Sequence, residues 1–123
     1  MSIDGQFGGR ITFEFNGVYI PPCEGNFVID PANRSTTAIA NQDGSAAYQI
    51  KPKLYGCDLH LRNADGVDWN GIMLVQSNCT ITEEDNARTH LFTNCRLVGD
   101  PKVDMSTGEV SGLRVEGPQY QKI

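Results

Sequence analysis

The sequence predicts a mainly β domain, a β-barrel or sandwich of about seven or eight short strands with one short helix packed on it. Apolar and polar residues alternate along most of the 123-residue chain, the pattern of strands with one face in a core. Turn-forming clusters recur roughly every 8–12 residues, the spacing of an all-β sandwich or barrel. Residues 66–75 depart from this and take the helical period.

The first hairpin is the clearest element. Ile11, Phe13 and Phe15 alternate with Arg10, Thr12 and Glu14, and Asn16-Gly17 leads into Val18-Tyr19-Ile20. Asn-Gly between such arms is a hairpin signal because both central residues of a type I′ turn need positive φ. Pro21-Pro22 ends the second arm, since neither residue can donate to a ladder. Phe27-Val28-Ile29 reads as a short third strand closed by Asp30-Pro31.

Residues 33–56 are of another kind. Ser35 to Ala40 and Ser45 to Ile50 flank Asn41-Gln42-Asp43-Gly44, an Asp-Gly turn whose arms are small and polar. They offer little area to a core, so the segment reads either as a mobile loop or as a hairpin arm that buries itself against another chain.

Leu54 to Leu61 returns to a strand, with Cys57, Leu59 and Leu61 on one face and Asp58, His60 and Arg62 on the other. Asn63-Ala64-Asp65-Gly66 breaks it. Asp65 is placed as the N-cap of a helix over residues 66–75, where Trp69, Ile72 and Met73 fall at i, i+3 and i+4. Gly71 inside it costs about 1 kcal/mol relative to alanine. Cys79 to Thr82 is a strand and Glu83 to Asn86 its turn. Arg88 to Val98 follows, with Leu91, Cys95 and Leu97 of one parity, and Gly99-Asp100-Pro101 turns the chain. Val103-Asp104-Met105 and residues 110–115 form a last hairpin around Ser106-Thr107-Gly108. The tail, residues 117–123, is too polar to read as a strand. No repeat or linker interrupts the pattern, so residues 1–123 form a single domain.

Composition narrows the function classes. Hydrophobic residues are 39% and charged residues 20%, ordinary for a globular domain. No apolar run approaches the ~18 residues of a membrane span. The start Met1-Ser2-Ile3-Asp4 has no basic and apolar leader, so the chain reads as one made and kept in the cytoplasm. Net charge is −5, with the ten basic residues scattered. A basic face that would grip nucleic acid is therefore not indicated. Cys23, Cys57, Cys79 and Cys95 contain no C-x-x-C pair and read as reduced thiols.

Candidates for chemistry are weak. Cys57 and His60 with Cys79 or Cys95 would be the best zinc set. Residues three apart on a strand point to opposite faces, which argues against it. His90 beside a cysteine would serve a covalent mechanism, but buried cysteine usually behaves as a small hydrophobe. Glu83-Glu84-Asp85 and Asp65/Asp68 read as solvated turns rather than paired catalytic carboxylates. The sequence therefore points to no enzyme, with no catalytic residue, metal or cofactor. Tyr48, Tyr55 and Tyr120 lie in segments outside the expected core and suit a ligand groove or a subunit contact equally well.

The order of motifs carries a resemblance. Arg88-Thr89-His90-Leu91-Phe92-Thr93-Asn94-Cys95-Arg96 runs into Leu97-Val98-Gly99-Asp100-Pro101-Lys102-Val103-Asp104. Then come Ser106-Thr107-Gly108-Glu109-Val110 and Leu113-Arg114-Val115-Glu116-Gly117. Upstream, Asn41-Gln42-Asp43-Gly44 through Tyr48-Gln49-Ile50-Lys51-Pro52-Lys53 is similar to a protruding arm, and the first hairpin and Gly25-Asn26-Phe27 agree with it. Together these resemble the tail tube proteins of Mu-like phages. Pro21-Pro22-Cys23 and the glycine in the helix depart from that pattern.

The resemblance implies a structural virion protein whose hexameric rings stack into a hollow conduit for DNA ejection. It implies assembly in the bacterial host cytoplasm with a tape-measure protein, a baseplate or tail-tip, a tail terminator and, where the tail has one, a sheath protein. DNA passes without specific binding, and no membrane is involved. The arm, at about residues 33–56, becomes the expected subunit interface, with Ile39, Asp43, Gly44, Tyr48, Ile50 and Tyr55 as its residues. Ile39, Tyr48 and Ile50 are the anchors of an inter-ring contact over residues 35–53. A monomeric ligand-binding β-barrel, or a tube subunit of a related non-phage injection system, is the alternative.

Overall fold

The computed structural model describes residues 8–23, 27–64 and 66–123. Among them the chain runs β1 (Ile11–Phe15), β2 (Val18–Tyr19), β3 (Ile29–Asp30), β4 (Arg34–Ala40), β5 (Ala46–Pro52), β6 (Tyr55–Arg62), α1 (Trp69–Ile72), β7 (Ser77–Glu83), β8 (Arg88–Val103), β9 (Glu109–Gly117) and β10 (Gln119–Lys122). The mainly β expectation holds, with a sandwich-like arrangement. The strand order is β2-β1-β7-β8-β9-β6-β3, and β10 adds to β8. β4 and β5 form a separate two-stranded sheet.

β8 ties the two layers together. Its first half pairs with β7 and β10, and its second half with β9. The segment after β2 crosses to the far side, where Pro22 bridges Leu61 and the Cys23 N–H donates to the His60 carbonyl at 2.8 Å. Phe13, Phe15, Leu59, Ile81, Phe92, Leu97 and Val115 fill the space between, with Trp69, Ile72 and Met73 packed against them. The first turn forms as its sequence requires, with φ of 53° at Asn16 and 75° at Gly17.

Several expectations are corrected. The helix is a single turn over Trp69–Ile72, because Gly66 takes φ of 87° and cannot begin it; its N-cap is Asp68. The expected cap Asp65 lies outside the described residues, as do Gly25-Asn26 and the first residues of the chain. Gly99-Asp100-Pro101 is a bulge within β8 rather than a turn. Gly99 has φ of 116°, and a Cβ there would strike the Gly112 carbonyl. The polar tail is a strand after all: β10 pairs Gln119 with Thr93 through Lys122 with His90, so backbone bonding makes it and only Tyr120 packs inward.

The parity of β8 also differs. Arg88, His90 and Phe92 face inward, and Leu91 does not. Inward parity moves to Cys95 and Leu97 after Asn94, whose φ is 54°, where the pairing with β7 shifts. Two charge-bearing side chains are thereby buried on the face that Phe92 shares.

Candidate subunit interface

The arm is a hairpin made by its turn. The Asn41 N–H donates to the Ser45 carbonyl at 2.9 Å, and Gly44 takes φ of 88°. The Ser45 N–H and hydroxyl both donate to the Asp43 carboxylate, at 3.0 and 2.6 Å. Those bonds hold the Asp43 carboxyl below the usual carboxylate range. Asp43 and Gly44 therefore shape the tip, while the apolar side chains stand along the arms.

Every residue of β4 and β5 is exposed. The register pairs Thr36 with Ile50, Ala38 with Tyr48 and Ala40 with Ala46, so these six share one face. The other face carries Ser35, Thr37, Ile39, Ala47, Gln49 and Lys51. Tyr48 and Ile50 are 74% and 63% exposed, and Ile39, on the opposite side, 46%. The three expected anchors thus do not form one cluster. Two-stranded hairpins are marginal in water without packing on one face, and ordering each residue costs about 1–2 kcal/mol. Burying Ile50 or a side chain of similar apolar size contributes about 1.5–3 kcal/mol. Among the described residues the arm is left with an apolar face and no core packing against it.

The root is fastened. The Lys53 N–H donates to the Asn33 carbonyl at 3.0 Å, and the Lys53 amine lies 3.9 Å from Asp30. Arg114 on β9 binds Asp30, Asp58 at 2.7 Å and Glu116 at 2.9 Å, joining β3, β6 and β9 below the arm. Partial burial works against its charge, but the three carboxylate bonds outweigh it and raise the guanidinium pKa. Tyr55 belongs here rather than on the arm. It starts β6, packs against the core and lies 5.8 Å, ring to ring, from Tyr120. Tyr120 likewise packs inward, against Phe92 at 5.0 Å.

The residues weighed for chemistry are placed as follows. Cys57 faces the core and His60 the outside, bonded to Glu109 at 3.1 Å. Burial pushes the Cys57 thiol up to about 12, away from the thiolate a nucleophile needs. The described residues hold no group of three or more histidine, cysteine or acidic side chains placed to bind a metal. The acidic turn is not simply solvated. Arg10 clamps Asp85 at 2.7 Å, Thr12 donates to Glu84 at 2.7 Å, and Glu83 is half-buried. His90 Nδ1 lies 2.7 Å from the Tyr120 hydroxyl and Nε2 lies 2.6 Å from the Glu83 carboxylate, so the ring bridges the two. Burial raises the Glu83 carboxyl, but bonds from His90 and Asn86 and the charges of His90 and Arg88 outweigh it, holding it below its ordinary value. Sequence reading missed this cluster because its partners meet across strands, and β8 parity was its only signal.

A family model described as phage tail tube protein matches residues 4–122. Among solved structures the chain resembles the PVC sheath/tube terminator of an extracellular contractile injection system in its extended state. Identity there is 11%, over 97% of this chain and 99% of that one, with a TM-score of 0.59. It also resembles Hcp1 from Flavobacterium johnsoniae, with 10% identity over 91% and 93% of the two chains and a TM-score of 0.58. At such identities the likeness is one of fold. No curated protein matches the chain.

Proposed function

This chain belongs to the phage tail tube protein family and is a tail tube subunit, and from that premise we propose that six copies close into a ring and that rings stack through the β4–β5 arm. The observation that carries this reading is the arm itself, a hairpin fastened at its root whose β4 and β5 residues are all exposed, with an apolar face that no described core residue covers. A second copy is the partner a homopolymer always has at hand. The open ends of the sheet at β2 and β3 favour the same reading, since exposed edges pair with whatever strand meets them.

The conduit would pass DNA without gripping it. Net charge of −5 per copy gives about −30 per six-copy ring, and acid facing a lumen repels phosphate. Screening limits that repulsion to about 8 Å at physiological salt, so only charges on the wall act on the DNA. A tape-measure protein, a baseplate or tail-tip, a terminator and a sheath are the partners such a tube would meet, in a virion assembled in the host cytoplasm. The protein's role is structural, with no catalytic step.

Concentrating the purified protein at neutral pH tests the assembly. Rings or tubes in negative-stain micrographs are the expected result. A monomer at every concentration, even with a tail-tip fraction added as a nucleus, would favour the monomeric ligand-binding barrel instead.

A further inference from the structure

A head-to-tail contact joins two different surfaces of the same chain. An arm that docks on another copy therefore needs a receiving surface elsewhere on the domain. A cleft of about 720 Å³ opens between the start of β1 and the segment after β2. Tyr19, Pro21, Pro22, Cys23 and Phe27 line it, together with Arg10 and Glu84. We propose that this cleft receives the Tyr48–Ile50 face of the arm from a copy in the adjacent ring, an assignment that rests on the inter-ring role of the arm proposed above.

Position supports the pairing. The arm leaves the domain at Tyr55, where β6 begins, and Pro22 bridges Leu61 near the end of the same strand. Six residues of extended strand separate these points by about 20 Å. Donor and receptor thus sit at opposite ends of β6, the arrangement that lets identical subunits stack without closing on themselves.

Chemistry supports it as well. The cleft volume is within the roughly 300–1,000 Å³ of binding pockets, with Arg10, Thr12 and Glu84 on one side and Tyr19, Pro21, Pro22 and Phe27 on the other. Proline and aromatic walls suit a tyrosine and an isoleucine. Ala38, Ala40 and Ala46 beside them are small enough to let the hairpin lie close to the wall.

Cys23, which lines the cleft, provides a native reporter. Ala38→Cys places a thiol on the docking face, and Thr37→Cys places one on the opposite face. Tubes of each variant are treated with a short bis-maleimide, resolved on a denaturing gel and mapped by peptide mass spectrometry. Ala38→Cys is expected to give a covalent ladder linking position 38 to Cys23, which Cys23→Ser removes and Thr37→Cys does not give. Ala46→Cys, on the same face nearer the turn, reads the contact independently. In a separate variant, Tyr19→Asp is expected to leave a folded subunit that no longer elongates. Links that map to another residue, a ladder that survives Cys23→Ser, or normal elongation by Tyr19→Asp would overturn the cleft assignment and leave the arm's role standing. Tubes that still form from subunits lacking residues 41–46 would overturn the role of the arm itself.

Discussion

Tyr48 and Ile39 stand on opposite faces of the β4–β5 arm, because the register sets Tyr48 against Ala38 and Ile39 against Ala47. A single docking surface can use one of these faces in full. Tyr48, with Ile50 beside it, is the more apolar choice. The double change Tyr48→Ala with Ile50→Ser should leave the unfolding free energy within about 0.5 kcal/mol of the parent, since both side chains are exposed in the free subunit. Tube elongation in the same variant should fall to background by light scattering. Ile39→Ser should elongate far better than that double variant.

Removing the tip tests whether the arm is independent of the core. Deleting residues 41–46 takes out the turn and leaves the main sheet untouched. Circular dichroism and thermal unfolding should report a folded subunit close to the parent. Loss of the folded state would place the arm inside the domain's own folding unit.

Glu83 gives the domain an acid-sensitive point. Its folded carboxyl is held below its ordinary value near 4.5 by His90, Asn86 and Arg88, against the opposing effect of burial. A depressed pKa contributes stability that is present above the ordinary value and is lost as pH falls through the folded one. Denaturant midpoints should therefore decline from pH 5 towards pH 3, and Glu83→Gln should flatten that decline while lowering the midpoint at pH 7. A Glu83→Gln acid limb identical to the parent's would show that Glu83 is not the acid-sensitive point.

The bulge in β8 depends on a residue without a side chain. Gly99 has φ of 116°, and an added Cβ would meet the Gly112 carbonyl. Gly99→Ala should cost about 1–3 kcal/mol of stability, read from the denaturant midpoint, through backbone strain together with the collision. Gly17→Ala, in an open turn with φ of 75°, should cost less, because nothing lies within 4 Å of the new atom.

The legible parts of the sequence were those governed by local chemistry. Asn16-Gly17 specified its turn, and Phe13 and Phe15 specified the buried side of β1. The alternation of Cys57, Leu59 and Leu61 placed β6 correctly against the core. Where pairing between distant strands decides, the sequence was silent. Tyr120 enters the core edge because β10 lies beside Phe92, and nothing in Gln119 to Lys122 announces that. Leu91 and Phe92 exchanged their expected sides because Asn94 resets the parity of β8. The arm was visible as a turn with small residues around it, but the division of Ile39 from Tyr48 needed the register.

Amide hydrogen exchange across residues 34–52, compared between free subunits and assembled tubes, tests the central claim most directly. The account predicts fast exchange throughout the arm in the free subunit, where every residue of β4 and β5 is exposed, and protection in tubes that is strongest around Tyr48 and Ile50. The central strands β7, β8 and β9 should change little there, while the edges at β2 and β3 should gain protection. Equal exchange of the arm in both states, with tubes present in the sample, would contradict the claim that the arm joins one ring to the next.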